Sequence, residues 1–98
     1  MYVAICKLAL RIFDSQSLKG KRRVVYSIKE RINNRFDISV SEVNNVNKWQ
    51  IAELGFALVG SEFRYVSDQI YSVVDYVSEC SFDIEITDKK IEILPFGN

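Results

Sequence analysis

The sequence predicts an α+β fold in which two helices cover one face of a four-stranded antiparallel sheet. Apolar residues recur with a helical period in two segments and alternate with a period of two in the stretches around them. In the alternating stretches, one set of positions is apolar and the other is mixed. This pattern is typical of a sheet with one buried face and one open face.

The first strand is predicted over residues 2–13, which are rich in β-forming side chains. Its even positions are uniformly apolar, whereas its odd positions include the cations Lys7 and Arg11. We therefore expect the even side chains on the core and the odd ones on the open face. Residues 14–17 have the composition of a turn, and Ser17 is suited to cap the helix that follows.

The first helix is predicted over residues 18–36, where apolar side chains fall on one helical arc. Near its start, the chain holds four cations: Lys19, Lys21, Arg22 and Arg23. At about 100° per residue, Lys21 falls in the middle of the apolar arc. We expect Lys21 to pair with a carboxylate, either Glu42 or Glu53, because an unpaired buried charge is costly.

The other three cations, Lys19, Arg22 and Arg23, lie together on the flank of this arc. Cations at the start of a helix are mildly unfavourable, because the helix dipole makes that end partly positive. The three side chains are therefore candidates for binding phosphate groups. Lys7 and Arg11 add charge to this site if the first strand places them nearby. The alternative is a solvated basic surface without a ligand.

A second strand is predicted over residues 37–43, and a polar loop follows over residues 44–48. A third strand is predicted from Trp49 to about residue 59, with apolar side chains at its even positions. We expect Trp49 to cap the core or to join an interface. Stacking of its indole on a ligand is the alternative.

Ser61 is suited to cap a second helix over residues 62–79, whose apolar stripe has the spacing of a core-facing helix. The last strand is predicted over residues 82–94. Its apolar residues change from even to odd positions across residues 87–90, which predicts a bulge or turn there. Pro95 is expected to end the strand. The order βαββαβ is the ferredoxin-like arrangement, with the first and third strands in the centre.

The composition limits the chemistry that the chain can perform. There is no histidine, and the two cysteines, Cys6 and Cys80, are far apart in sequence. The commonest general base and the usual zinc ligand sets are therefore missing, and we expect neither a metal nor a cofactor. Glu42 and Glu53 are the candidates for acid–base chemistry. Because no nucleophile accompanies them, we expect a non-catalytic domain.

The length of 98 residues suits a single domain over residues 1–98. No apolar run reaches the roughly 20 residues of a membrane span. Charged side chains interrupt the first apolar run, unlike in a signal peptide, and we expect a cytoplasmic protein. Residues 1–50 contain ten basic and four acidic side chains, and residues 51–98 contain three and nine. On a chain of zero net charge, this asymmetry predicts either a basic surface or two halves that pair their charges internally. It is not the strongly basic balance of a typical nucleic-acid-binding protein.

Three segments of the sequence are similar to those of a known family: Ser17-Leu18-Lys19-x-Lys21-Arg22, Phe36-x-Ile38-Ser39-Val40-x-Glu42-Val43 and Trp49-Gln50-x-Ala52-Glu53-Leu54-Gly55. With them, nearly the whole chain resembles the YlxP-like family of small bacterial proteins, a domain family of unknown function. The resemblance implies a ferredoxin-like fold. It also implies a role near RNA or the ribosome, because genes of this family often neighbour those for transcription elongation and translation initiation.

The sequence departs from this family at two places near the cation cluster. Gly20 stands where the family usually has an acidic residue, which leaves the cations less neutralised. Residues 45–47 read Asn-Val-Asn, where the family commonly has a histidine followed by Gln-Asp. A catalytic role that depends on that histidine or aspartate therefore does not transfer to this chain.

These observations lead to two main hypotheses for the function, beside a third in which Glu42, Glu53 and Lys21 bind a small ligand or act as an enzyme site. In the first, the chain is a module that binds the ribosome or structured RNA through backbone phosphates. In the second, it is a homodimeric interaction module that uses the open sheet face, with interface candidates Val3, Ile5, Trp49 and Gly55. Base stacking on this face is not expected, because the outward positions 7, 9, 55 and 57 of the central strands carry no aromatic side chain.

Overall fold

The computed structural model describes residues 1–13, 16–80 and 83–97. Its elements, in chain order, are β1 (Tyr2–Ile12), α1 (Leu18–Arg35), β2 (Ser39–Asn44), β3 (Ile51–Gly60), α2 (Phe63–Ser78) and β4 (Ile84–Pro95). This order confirms the predicted βαββαβ arrangement. The predicted turn at residues 14–15 and the predicted strand start at residue 82 lie outside the described residues.

The four strands form one antiparallel sheet in the order β2-β3-β1-β4. The first and third strands are therefore central, as right-handed crossovers predict. Both helices pack on the same face of the sheet, so the opposite face is open. The fold is ferredoxin-like.

The core lies between the helices and the even side chains of the two central strands. Every second residue of β1 from Ala4 to Ile12 is buried, and so is every second residue of β3 from Ala52 to Leu58. The helices contribute aliphatic side chains from the buried stripe of each: Val25, Ile28, Ile32, Val66, Ile70, Val73, Val74 and Val77. The alternation in the sequence thus predicted which side chains are buried.

The predicted irregularity in β4 is a β-bulge. The pairing of β1 with β4 shifts between Ala9, which lies opposite Asp88, and Leu10, which lies opposite Ile86. Thr87 is the extra residue, and its hydroxyl donates a hydrogen bond to the carbonyl of Ala9 at 3.2 Å. The extra residue explains why the apolar parity changes along this strand.

Several predicted boundaries differ from the structure. β2 begins at Ser39 and not at residue 37. β3 begins at Ile51 instead of Trp49, because residues 45–50 form the connection from β2, with a hydrogen bond from Lys48 N to Asn45 O at 3.0 Å. The N-cap of α2 is Glu62 instead of Ser61, and no side-chain capping hydrogen bond is found there in the described part of the chain.

No helix in the described part of the chain is both long enough and apolar enough to cross a lipid bilayer.

Candidate functional site: a basic end of the sheet

The start of α1 is fixed by its cap. Ser17 has extended backbone angles (φ −163°, ψ 161°), and its hydroxyl accepts a hydrogen bond from Gly20 N at 3.1 Å. The first turn of α1, which the structure describes throughout, contains no acidic side chain. The positive end of the helix dipole is therefore not compensated by a carboxylate from the first turn.

Three of the four cations in this cluster are exposed. Lys19, Arg22 and Arg23 lie on the solvent side of the first two turns of α1. Arginine guanidinium groups suit the geometry of phosphate oxygens, and lysine adds a point charge. This surface can therefore bind an anion without first breaking a buried contact.

Lys21, the fourth cation, is buried, with an exposed side-chain fraction of 1%. Its Nζ lies 2.7 Å from Glu42 Oε2 and donates hydrogen bonds to the carbonyl of Asn45 at 2.5 Å and of Val46 at 3.5 Å. Glu42 Oε2 has no partner of hydrogen-bonding geometry among the described residues, so charge attraction joins it to Lys21. Three acceptors thus surround one buried ammonium group, which offsets much of its desolvation cost.

These contacts attach the β2–β3 connection to α1. Asn45 adopts a left-handed backbone conformation (φ 58°), which asparagine tolerates better than most residues, and its carbonyl faces Lys21. The same carbonyl accepts a hydrogen bond from Lys48 N. Farther along the connection, Gln50 O accepts one from Ile12 N at 2.9 Å. The connection is therefore held both to the helix start and to the end of β1.

Glu53 is not the partner of Lys21. It lies on the open face of the sheet, where its Oε2 accepts a hydrogen bond from Asn44 Nδ2 at 2.7 Å. Glu42 instead faces the helix side and contacts Lys21. The two carboxylates considered for acid–base chemistry are thus on opposite faces of the sheet, each with its own partner.

Trp49 does not cap the core, so that part of the expectation is wrong, whereas its role in an interface stays a prediction. Its exposed fraction is 43%, because the residue belongs to the connection before β3 and not to the strand. Phe13, just after β1, is similarly exposed at 44%, and the Arg11 guanidinium lies 5.3 Å from the centre of its ring. Two exposed aromatic rings and several cations therefore occur at the same end of the sheet.

We call this part of the surface the basic end: Arg11, Phe13, Lys19, Arg22, Arg23, Lys48 and Trp49. Arg11 belongs to it, because it is the next-to-last residue of β1. Lys7 does not, because it lies in the middle of the open face, opposite Gly55 on one side and Lys90 on the other. Phe13, Lys48 and Trp49 were not predicted as parts of this site, although the odd position of Phe13 and the loop position of Lys48 are consistent with their exposure. The only signal in the sequence was the polar, turn-forming composition around them.

The open face carries an apolar row at its other end. Val3 lies between Val59 of β3 and Leu94 of β4, and these two neighbours are 58% and 48% exposed. Two shallow depressions flank the adjacent part of β1, with volumes of about 480 and 360 Å³, and both are lined in part by Ile5. Gly55 lets Val43 lie across β3, since a Cβ on Gly55 would be 2.8 Å from Val43 Cγ1.

Neither thiol is activated. Burial raises the pKa of Cys6 to about 11, although Lys89 opposes this effect. Burial also raises the pKa of Cys80, and this is offset in part by the charge and hydrogen bond of Arg31. Both thiols are free. Over residues 1–13, 16–80 and 83–97, no group of three Cys, Asp or Glu side chains has the arrangement of a metal site.

Residues 3–91 match the family described as "Protein of unknown function (DUF503)". The chain belongs to this family. It is also 33% identical over 66 residues to a protein of Bacillus subtilis (strain 168), "Uncharacterized protein YlxP". This similarity covers 67% of the chain and 72% of that relative. The matched region includes α1, the β2–β3 connection and both central strands, so the family relationship covers the basic end as well as the core.

Proposed function

We propose that this chain is a non-catalytic module that binds RNA, including RNA within the ribosome, through backbone phosphates. Lys19, Arg22 and Arg23 make the contacts. The proposal rests on the different environments of the four cations. Lys21 forms a buried ion pair, whereas the other three are exposed at the start of a helix whose first turn contains no acidic residue. A polyanion supplies the negative charge that this surface lacks.

The physical consequence of such binding is a dependence on salt. Phosphates neutralised by protein cations release their condensed counterions, so the affinity falls as salt rises. Three phosphate contacts correspond to a slope of roughly −2 to −3 in a plot of log affinity against log salt concentration. A proposal based on three contacts therefore predicts a modest slope and an affinity that is measurable mainly at low salt.

The experiment is filter binding of the purified chain to ribosomal subunits and to a structured RNA at two salt concentrations. A variant with Lys19→Ala, Arg22→Ala and Arg23→Ala is compared with a matched control, Arg64→Ala, Lys89→Ala and Lys90→Ala. Both variants lose three exposed positive charges, but the control changes α2 and β4. We expect the first variant to lose binding and to flatten the salt dependence, and the control to keep most of the affinity.

Two results contradict the proposal. One is the absence of binding to any of these RNAs at low salt. The other is an equal loss of affinity in the two variants, since that result would assign binding to net charge alone and not to the start of α1.

The apolar row on the open face supports a second function, self-association of the chain through this face. Val3, Val59 and Leu94 lie side by side across three strands, and Ile5 and the small side chain of Ala57 continue the surface. A second copy would cover this face in a two-fold dimer that leaves the basic end of each copy accessible.

Sedimentation velocity at micromolar concentration tests the dimer. We expect a dimer for the wild-type chain and a monomer for Val59→Glu, which places a charge within the apolar row. Tyr71→Glu is the control, because Tyr71 is 50% exposed on α2, away from the open face. A monomeric wild-type chain at this concentration would exclude the self-pairing function.

A further inference from the structure

We propose that Trp49 and Phe13 stack on unpaired bases, so that the RNA bound at the basic end is a single-stranded segment. This inference rests on the proposed function, which supplies the phosphate contacts, and it adds the class of RNA. It begins from the exposure of two large aromatic side chains, 43% for Trp49 and 44% for Phe13, at the end of the sheet where the exposed cations lie.

The position of Trp49 is held from two sides. Before it, the carbonyls of Asn45 and Val46 accept hydrogen bonds from the buried Lys21 ammonium group of α1. After it, Gln50 O accepts a hydrogen bond from Ile12 N at the end of β1. An aromatic ring on an anchored connection loses less conformational entropy on binding than a ring on a loose loop.

Phe13 is placed by the strand that precedes it. Its backbone N donates a hydrogen bond to Asp83 O at 3.1 Å, and the Arg11 guanidinium lies 5.3 Å from its ring centre. Because Ile12 bonds to Gln50, the residues that follow β1 and precede β3 meet at this edge. Phe13 and Trp49 are each one residue from that hydrogen bond.

The surrounding charge identifies the partner. Lys48 directly precedes Trp49, and the Arg11 guanidinium lies 5.3 Å from the ring of Phe13. The exposed cations of α1 belong to the first turns of the helix that Lys21 joins to this connection. An apolar protein surface would have to desolvate these cations on binding. A single strand of RNA satisfies both features, because its phosphates meet the cations while its splayed bases meet the rings.

A duplex fits less well, because its bases are already stacked and paired. The open sheet face does not offer an alternative stacking surface, since Lys7, Ala9, Gly55 and Ala57 occupy the outward positions of the two central strands. Base stacking on the sheet would therefore involve its end and not its open face. This arrangement differs from that of domains that read RNA on aromatic side chains projecting from the sheet.

The test uses the fluorescence of Trp49, which is the single tryptophan of the chain. The probes are a short unstructured single-stranded RNA and the duplex that it forms with its complement, both end-labelled for anisotropy. Binding of the single strand is expected to quench the tryptophan emission and to be tighter than binding of the duplex. Trp49→Ala is expected to weaken single-strand binding by roughly 5- to 150-fold, the effect of losing one base stack, and to leave duplex binding unchanged.

Phe13→Ala is expected to weaken single-strand binding in the same way. Tyr71→Ala is the matched control, because it removes an equally exposed aromatic ring from α2 and is expected to change neither affinity. Circular dichroism and the urea midpoint establish that each variant is folded. Trp49 and Phe13 are exposed, so their replacement is expected to leave the fold intact.

The outcomes separate this inference from the proposed function. Equal binding of the two RNAs, with no change in tryptophan emission, would overturn base stacking and leave phosphate binding standing. A Trp49→Ala variant that binds single strands as tightly as the wild type would do the same. Failure of both RNAs to bind at low salt would overturn base stacking, and the phosphate-binding proposal would fall with it only if ribosomal subunits and the structured RNA also failed to bind.

Discussion

The two helix starts lie at opposite ends of the sheet and present different surfaces. α1 begins at the basic end, where Ser17 caps the helix and the exposed side chains are cationic. α2 begins at the other end, where Glu62 is the N-cap and makes no side-chain capping bond within the described residues. We call this second region the apolar end, because large apolar side chains are exposed there: Met1, Val59, Phe63, Tyr65, Leu94 and Phe96.

Different interactions stabilise the structure at each of the two ends. At the basic end, one buried ammonium group joins a helix, a strand and a connection through polar contacts. At the apolar end, the ring of Tyr2 meets the ring of Phe63 edge to face, with 5.8 Å between centroids, and Met1 exchanges two hydrogen bonds with Phe96. The two helix starts have equivalent places in the topology, but the surface around one is cationic and the surface around the other is apolar.

The largest expected effect comes from removing the buried cation of the basic end. Lys21→Met keeps the length of the side chain but leaves Glu42 without its counter-charge and removes the ammonium donor from the carbonyls of Asn45 and Val46. We expect a decrease in the free energy of unfolding of about 3–5 kcal/mol, the usual cost of breaking a buried ion pair from one side. Urea denaturation followed by circular dichroism measures it.

Two further variants sharpen this prediction. Lys19→Met removes an exposed cation from the same helix turn and is expected to change stability by no more than about 0.5 kcal/mol. Lys21→Met combined with Glu42→Leu removes both charges and is expected to recover part of the loss. A Lys21→Met variant as stable as Lys19→Met would show that Lys21 does not anchor the basic end.

The second prediction concerns the core between the two ends. Because a thiol is buried there, we expect the stability of the fold to depend on pH. Burial raises the pKa of Cys6 from 9.0 to about 11, so the folded chain keeps this proton when the unfolded chain has released it. The contribution of this thiol to the free energy of unfolding is therefore fully present below about pH 9 and decreases as the pH rises towards 11. At about 1.4 kcal/mol per pH unit, the total loss is on the order of 3 kcal/mol.

Other groups also titrate at alkaline pH, so the measured quantity is the difference between the wild type and Cys6→Ala. We expect the wild type to lose more stability than this variant between pH 9 and 11, in urea denaturation at a series of pH values. Cys80→Ala should retain most of the wild-type slope, because Cys80 is only half-buried and Arg31 opposes the increase in its pKa. Parallel pH profiles for the wild type and Cys6→Ala would contradict the assignment.

The periodic parts of the molecule could be predicted from the sequence, and the connections could not. Alternation in the strands identified the buried positions and the bulge at Thr87, because one extra residue reverses the parity of every later side chain. The helical period placed Lys21 on the buried side of α1. That period alone did not distinguish Glu42 from Glu53. Strand alternation does, because Glu42 shares the inward parity of Val40 and Glu53 shares the outward parity of Gly55.

Trp49 shows more clearly what the sequence pattern could not predict. A tryptophan before an alternating stretch is expected to begin the strand and cover the core, but the turn between Asn45 and Lys48 delays pairing until Ile51. The exposed ring is therefore a consequence of connection geometry, for which the sequence carries no periodic signal. The same reason explains why Ser61, a better capping residue than Glu62, does not cap α2: the cap position depends on where β3 ends.

The smallest expected effect compares the two helix caps directly. Ser17→Ala removes the hydrogen bond from Gly20 N to the serine hydroxyl and is expected to lower stability by about 1 kcal/mol. Glu62→Ala removes no capping hydrogen bond, only the attraction between a carboxylate and the helix dipole, worth a few tenths of a kcal/mol at low salt. Because salt screens the dipole term but not the hydrogen bond, high salt should abolish the effect of Glu62→Ala and preserve that of Ser17→Ala. Urea midpoints of both variants at low and high salt measure the difference, and equal losses that respond equally to salt would mean that the two ends begin their helices in the same way.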